Sequence, residues 1–261
     1  MLSPHPGRRW IVLSPHLDDA ALSIGGLIAA LTCFARVEIW SLFCNASFQG
    51  PYSELADWLH AEAGGATGSR LAWARKMEDR RACRQLGAAA RHFEWKDTPY
   101  RKGADGRFLY HATQPGRWHE GDNPLIADMI TQLGRSLGEL DVLLSPLAVG
   151  GHVDHLIARH AAETLRGPTL MYYPDVPYVQ LFPEQVAEAI DGLCPVRYKL
   201  RRDEIVTWIA SVKSYVSQIR MLESAAGRVP ELISRHARES AVLYRNCEHS
   251  SSDLKDYRIF G

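Results

Sequence analysis

A chain of 261 residues is long enough to bury a full core as one α/β domain. Its 30 basic and 30 acidic side chains give a formal net charge of zero, so no global field draws in nucleic acid or an anionic membrane. A small molecule of sugar-like character is the expected partner. Cys33, Cys44, Cys83, Cys194 and Cys247 are odd in number, widely spaced and without a C-x-x-C pair, which argues against a disulfide framework.

The first apolar run, Trp10-Ile11-Val12-Leu13, gives way to Ser14-Pro15-His16-Leu17-Asp18-Asp19, which reads as a buried strand ending in a loop. A helix is predicted over 20–34, with Leu22, Leu27, Ile28 and Leu31 at helical spacing, so Asp18 and Asp19 stand where its dipole favours negative charge. Ligands of open parallel sheets bind beyond the carboxyl ends of the strands. His16, Asp18 and Asp19 fall there, and three titratable side chains within four residues suggest a metal. An ordinary N-cap beside a solvated histidine would use the same residues. The metal reading gains from a second cluster, Gly150-Gly151-His152-Val153-Asp154-His155, which also follows an apolar run and opens a helix.

Residues 20–34 are too short to cross a bilayer, which takes about 20 apolar residues, and His16, Asp18 and Asp19 interrupt any apolar core of a signal peptide. A cytoplasmic protein without a transmembrane segment is expected. Residues 37–43 form the second predicted strand, completing a βαβ unit. The stretch 50–68, with Pro51 and four glycines, reads as a long loop with at most one helical turn, a candidate lid. Ser69 is placed to cap a basic helix reaching Gly87, whose charges suit a solvated face. A third strand over 91–95 brings Asp97 to another carboxyl end, and 99–121 reads as a second long loop pinned by Tyr100, Tyr110, His111, Trp118 and His119.

Asp122-Asn123-Pro124 opens a helix to about Gly138, and a fourth strand over 141–145 leads into the glycine-rich run. A helix over 153–165, a strand over 169–173 and the proline-fixed loop 174–178 follow. Segments 183–192 and 196–200 and one long amphipathic helix from Asp203 to about Ser224 extend or cover the sheet. The tail from Arg235, with His236, Cys247 and His249, reads as peripheral. The expected fold is an α/β Rossmann-like sandwich with a mainly parallel sheet and helices on both faces. One domain spans 1–261, with its core over about 8–180 and a C-terminal extension over 181–261.

A catalytic zinc takes three protein ligands, often histidine with a carboxylate, and keeps a position for water. The first cluster offers His16 with Asp18 or Asp19, and the second offers His152 or His155. His16-Leu17-Asp18-Asp19 with Gly25-Gly26 six residues on, together with His152-Val153-Asp154-His155, resembles the PIG-L/LmbE family of zinc-dependent de-N-acetylases. The likeness extends to Arg75-x-x-Glu78, Leu86-Gly87, Asp97 and the loop from Tyr173 to Tyr178, over the first two-thirds of the chain. Leu17 and Ala20 stand where the family's first motif has Pro and Glu, and Val153 replaces the Pro of the second.

The resemblance implies one zinc per chain, or another divalent metal, on His16, Asp19 and His155. It makes Asp18 the general base and a protonated His152, supported by Asp154, the oxyanion stabiliser; Arg75 and Asp97 hold substrate. The implied reaction removes an N-acetyl group from an amino sugar or related conjugate of GlcNAc type. An amidase acting on a thiol-sugar conjugate is the alternative within hydrolases. A non-hydrolytic nucleotide-binding or regulatory module is the alternative of another class, though no G-x-G-x-x-G follows the first strand. Whether the chain is a homo-oligomer is left open.

Overall fold

The computed structural model describes residues 8–238 and 241–247. Strand β1 (Arg9–Ser14) pairs in parallel with β2 (Arg36–Ser41) on one side and β4 (Val142–Pro146) on the other. Outward from these lie β3 (Ala89–His92) beside β2 and β5 (Thr169–Tyr173) beside β4, all parallel. Strand β7 (Ala241–Asn246) then runs antiparallel to β5, and β6 (Leu193–Tyr198) antiparallel to β7. Among the described residues the sheet has the order β3-β2-β1-β4-β5-β7-β6. The chain reverses its direction of winding between β1 and β4, and a crevice opens there at the carboxyl ends.

Alternation along β1 builds the two layers. Trp10 and Val12 face one core with Ile24, Leu27 and Ile28 of α1 (Asp19–Leu31) and Ala82 and Leu86 of α3 (Gly68–Leu86). Ile11 and Leu13 face the other, with Met129 and Leu133 of α4 (Asn123–Ser136) and Ile157 and Ala161 of α5 (Val153–Thr164). This is the Rossmann-like sandwich with helices on both faces that the sequence predicts.

Segment 50–68 is more ordered than expected. It holds α2 (Glu54–Glu62), whose N-cap Ser53 accepts the Ala56 N–H at 3.0 Å. Helix α3 starts one residue before Ser69, after Thr67; its Arg70, Arg80, Arg81 and Arg84 are exposed as predicted, and Arg75 is buried. The third strand lies two residues earlier than expected, and 94–96 contribute only isolated bridges to 43–45. Past β5 come the short helices α6 (Tyr178–Leu181) and α7 (Pro183–Ala189).

The single long helix expected over 203–224 is two, α8 (Arg202–Val212) and α9 (Val216–Ala226). The break follows from long-range bonds: the Tyr215 hydroxyl donates to Asp79 at 2.8 Å, and the Ser217 N–H and hydroxyl donate to Glu78 at 2.9 and 2.7 Å. Nor is the tail peripheral. Helix α10 (Val229–Arg238) leads into β7 inside the sheet, and His236 meets Trp208 edge-on at 5.9 Å. His249 lies outside the described residues. Pairing of β6 with β7 also brings together Cys194 and Cys247, 53 residues apart in sequence, as a disulfide that cysteine count and spacing argued against. Cys33, Cys44 and Cys83 are free.

Helix α8 crosses α1 at Gly25-Gly26. The Trp208 indole N–H donates to the Ala21 carbonyl at 2.6 Å, and α1 is kinked at Ile24 (φ −137°, ψ 25°). A Cβ on Gly25 would run into the indole, and one on Gly26 would lie 2.8 Å from it. Gly25→Ala is therefore expected to overpack this crossing and destabilise the fold by roughly 1–3 kcal/mol, read from the midpoint of urea unfolding. An unchanged midpoint would mean that α8 can withdraw from α1 freely.

Candidate metal centre

Two strand-to-helix loops meet at the crevice. In the first, the buried Ser14 hydroxyl donates to the His16 carbonyl at 2.5 Å and accepts the Ala20 N–H at 3.0 Å, closing the loop on itself. Tyr173 on β5 donates to the Leu13 carbonyl at 2.7 Å and holds the strand end. Asp18 occupies the N-cap position of α1 but makes no side-chain cap bond, so its carboxylate is left to the cavity. In the second loop, Ala148, Gly150 and Gly151 take positive φ (60°, 85° and 67°) and turn the chain back from β4. His152 caps α5, its Nδ1 accepting the Asp154 N–H at 3.2 Å.

The loops converge on one carboxylate. Asp19 Oδ2 accepts the His16 N–H at 2.7 Å and lies 3.1 Å from His16 Nδ1 and 3.2 Å from His155 Nε2. Each imidazole is held from behind by another carboxylate. His16 Nε2 faces Asp154 at 3.0 Å, and His155 Nδ1 faces Asp175 at 2.6 Å. This arrangement fixes the ring orientations of metal-bound histidines and points their remaining nitrogens at one place. His155 Nε2 is buried and makes no hydrogen bond. An imidazole nitrogen without a hydrogen-bond partner, beside a second imidazole and a carboxylate, suits a divalent cation once its proton is displaced. The donor atoms of His16, Asp19 and His155 lie within 4.8 Å of one another.

Those of His16, His152 and Asp154 lie equally close, but Asp154 is already engaged. Its oxygens accept the Arg101 guanidinium, the Thr98 hydroxyl at 2.7 Å and the Thr98 N–H at 3.2 Å. The resemblance expects Asp154 to raise the pKa of His152, and the Asp154 charge does pull it upward. The Asp154 carboxylate turns to Arg101 and His16, and only its backbone N–H meets His152. Burial, followed by the nearby charge of His16, holds His152 well below the ordinary histidine range in spite of the opposing pull of Asp154. With Nδ1 accepting the Asp154 N–H, the proton of an uncharged His152 would sit on Nε2.

Arg75 and Asp97 reach the same cavity. The Arg75 guanidinium lies 3.4 Å from Asp18 and 3.7 Å from Asp97, and Asp97 lies 3.6 Å from His16 Nε2. Glu78 points away, clasped by Ser217, so Arg75 and Glu78 form neither a surface pair nor a joint site. Arg101 and Asp175 are functional neighbours that sequence reasoning missed. Asp175 could have been found by its place at the carboxyl end of β5. Arg101 lies in a segment without periodicity, and no local signal marks it.

The titration of these groups follows from burial and charge. Burial pushes Asp18 above the usual carboxylate range, although Arg75 pulls it down. Burial would also raise Asp19, but His155 and His16 outweigh it and hold it well below that range. For His155 burial would lower the value; Asp19 and Asp175 reverse this and carry it to about 9. For His16 the same opposition, with Asp97 and Asp19 prevailing over burial, leaves it raised well above 6.5.

His16, Asp18, Asp19, Arg75, Asp97 and His152 line a cavity of about 380 Å3. Asp18 and Asp19 at the first turn would repel a dinucleotide phosphate, which disfavours the nucleotide-binding alternative. Among the described residues no helix is long and apolar enough to cross a membrane.

The PIG-L family, described as GlcNAc-PI de-N-acetylase, matches residues 11–165. The chain is 30% identical over 175 residues to the 2'-N-acetylparomamine deacetylase of Streptomyces fradiae. That match takes in 65% of this chain and spans 57% of the relative's length. The zinc-inhibited form of teicoplanin deacetylase superposes with a TM-score of 0.78 at 26% identity, over 90% of this chain and 97% of that one. The A40926 pseudoaglycone deacetylase shares the fold, with a TM-score of 0.75 at 24% identity over 95% of this chain and 100% of that one.

The shift of His155 sets a pH dependence. Its folded value of about 9 exceeds the 6.5 of the free side chain, so this proton stabilises the metal-free fold below pH 6.5. That contribution fades as pH rises through about 9. A metal must displace the proton. Zinc titrations of the metal-free protein are expected to show affinity rising from pH 6.5 towards about 9, with protons released on binding. Affinity independent of pH would remove His155 from the ligand set.

Proposed function

The chain belongs to the PIG-L family, and from that premise we propose that it is a zinc-dependent hydrolase that removes the N-acetyl group of an amino sugar or sugar conjugate. The observation that carries this reading is the convergence of His16 Nδ1 and His155 Nε2 on Asp19, each imidazole backed by a second carboxylate, beside a basic Asp18. The deacetylase relatives support the reaction class. In this reading His16, Asp19 and His155 hold zinc, which when bound supplies a Lewis acid for the amide carbonyl and lowers the pKa of water.

The chain's own groups move the protons. Asp18, buried and raised in pKa without a capping bond to occupy it, accepts a proton from water as its oxygen attacks the acetyl carbon. Asp18 then returns that proton to the nitrogen as the C–N bond breaks, leaving acetate and a free amine. Neutral His152 presents its Nε2–H to the carbonyl oxygen as negative charge develops there. Donation from a neutral imidazole needs no protonated state in advance. Arg75 and Asp97 line the same cavity and suit the hydroxyls of a sugar ring.

Purified protein is expected to hold one zinc per chain by elemental analysis and to lose deacetylation of N-acetylated amino sugars on chelation. Asp18→Asn should keep the metal while turnover falls about a hundredfold or more. His152→Ala should cost about 2.7–4 kcal/mol of transition-state stabilisation, again with zinc retained. His155→Ala should lose the metal. Loss of zinc in His152→Ala with retention in His155→Ala would reverse the ligand assignment.

A further inference from the structure

Two side chains that line the cavity carry a buried polar atom without a hydrogen-bond partner among the described residues, Arg75 at Nε and Gln218 at Oε1. Arg75 still spends its other nitrogens on Asp18 and Asp97. Gln218 has no such use for its carbonyl, although the residue is only 1% exposed. An acceptor buried without a donor is destabilising, and native folds keep few of them. Such an atom is tolerated where a ligand brings the missing donor.

The orientation of that amide is fixed from α3. The Ser217 N–H and hydroxyl donate to Glu78 at 2.9 and 2.7 Å, and Glu78 is itself buried. With its one proton given to the carboxylate, Ser217 Oγ can only accept, and Gln218 Nε2 donates to it at 3.0 Å. The NH2 end of the amide is therefore committed to Ser217, and a flipped amide would set Oε1 against an oxygen that has no proton to offer. The backbone is held as well, the Gln218 N–H donating to the Tyr215 carbonyl at 2.9 Å at the start of α9. An acceptor held in this way loses little freedom when a ligand reaches it.

The missing donor has a definable chemistry. An ammonium would be drawn to Asp18, Asp19 and Asp97 in the same cavity, against which a neutral amide cannot compete. An uncharged hydroxyl is the donor that suits Oε1. We propose that Gln218 is a substrate-binding residue whose Oε1 accepts a hydrogen bond from one hydroxyl of the sugar, and so helps decide which sugars the site takes. The inference rests on the deacetylase reading of the cavity. Gln218 lies beyond residues 11–165 that match the PIG-L family, so the family match does not supply this contact.

Zinc-loaded wild type and Gln218→Met, which keeps the length of the side chain and drops the acceptor, are assayed on methyl β-N-acetylglucosaminide and on its three monodeoxy counterparts, each lacking one free hydroxyl. In the wild type one of the deoxy compounds is expected to lose at least about tenfold in kcat/KM because Oε1 is left unpaired. In Gln218→Met that ratio should fall to within about threefold of one, while the other two ratios stay as they were. Gln218→Leu, which also lacks the acceptor, should repeat this pattern. A Gln218 that only supports the fold would lower all four substrates together and leave every ratio unchanged, which would overturn the assignment. Calorimetric binding of the corresponding free amines to both proteins gives a readout that needs no turnover. One hydroxyl losing its effect on binding in Gln218→Met, with no acetylated compound hydrolysed, would uphold Gln218 and overturn the deacetylase reading. Ratios untouched by the substitution, with the acetylated compounds hydrolysed, would overturn Gln218 and leave that reading standing.

Discussion

Too many carboxylates are buried at this crevice for the cations that accompany them. Asp18, Asp19, Asp97, Asp122, Asp154 and Asp175 are all buried there, against the two guanidiniums of Arg75 and Arg101. Taking a carboxylate out of water costs several kcal/mol unless it is paired and hydrogen-bonded. The excess is met in two ways. Burial raises the pKa values of Asp18, Asp122 and Asp175, and the carboxylates raise those of His16 and His155. A divalent cation would take the place of the two histidine protons without altering the charge balance. In the proposed reading, the metal ligands and the proton-accepting Asp18 follow from one electrostatic imbalance.

The fold gathers the site from distant parts of the chain. Loops after β1 and β4 carry the two clusters because those strands are neighbours in space, 138 residues apart at the His16 to Asp154 contact. Behind them runs a buried chain. Tyr110 donates to Asp122 at 2.5 Å, Asp122 pairs with Arg101 at 3.2 Å, and Arg101 pairs with Asp154, which faces His16. On the other flank Asp175 faces His155. The imidazoles of His16 and His155 are therefore each braced from the protein side. Helix α3 serves two ends at once: Arg75 enters the cavity, while Glu78 and Asp79 fix the start of α9, whose next turns line the same cavity.

Much of the parallel framework could be read along the sequence, because each of its central strands is a short apolar run and each cluster follows one directly. His16, Asp18, Asp19, His152 and His155 were legible for that reason. The pull on the His152 pKa was not, since it comes from burial and from the nearby charge of His16, which only the folded site brings together. Helix α2 was hidden by the glycines and proline around it, although Ser53 was there to cap it. The break between α8 and α9 lay beyond reach because Tyr215 and Ser217 take partners on α3. The same is true of β7 and the Cys194–Cys247 bridge, which exist only once the tail has entered the sheet.

The central claim is that His16, Asp19 and His155 hold the metal, with His152 and Asp154 outside its coordination. Anomalous scattering at the zinc edge from crystals of the zinc-loaded protein tests it most directly. The account requires one peak about 2.0–2.2 Å from His16 Nδ1, an Asp19 oxygen and His155 Nε2. A peak bounded instead by His16 Nε2, His152 and Asp154 would contradict it, as would a fully loaded crystal with no peak between the two loops.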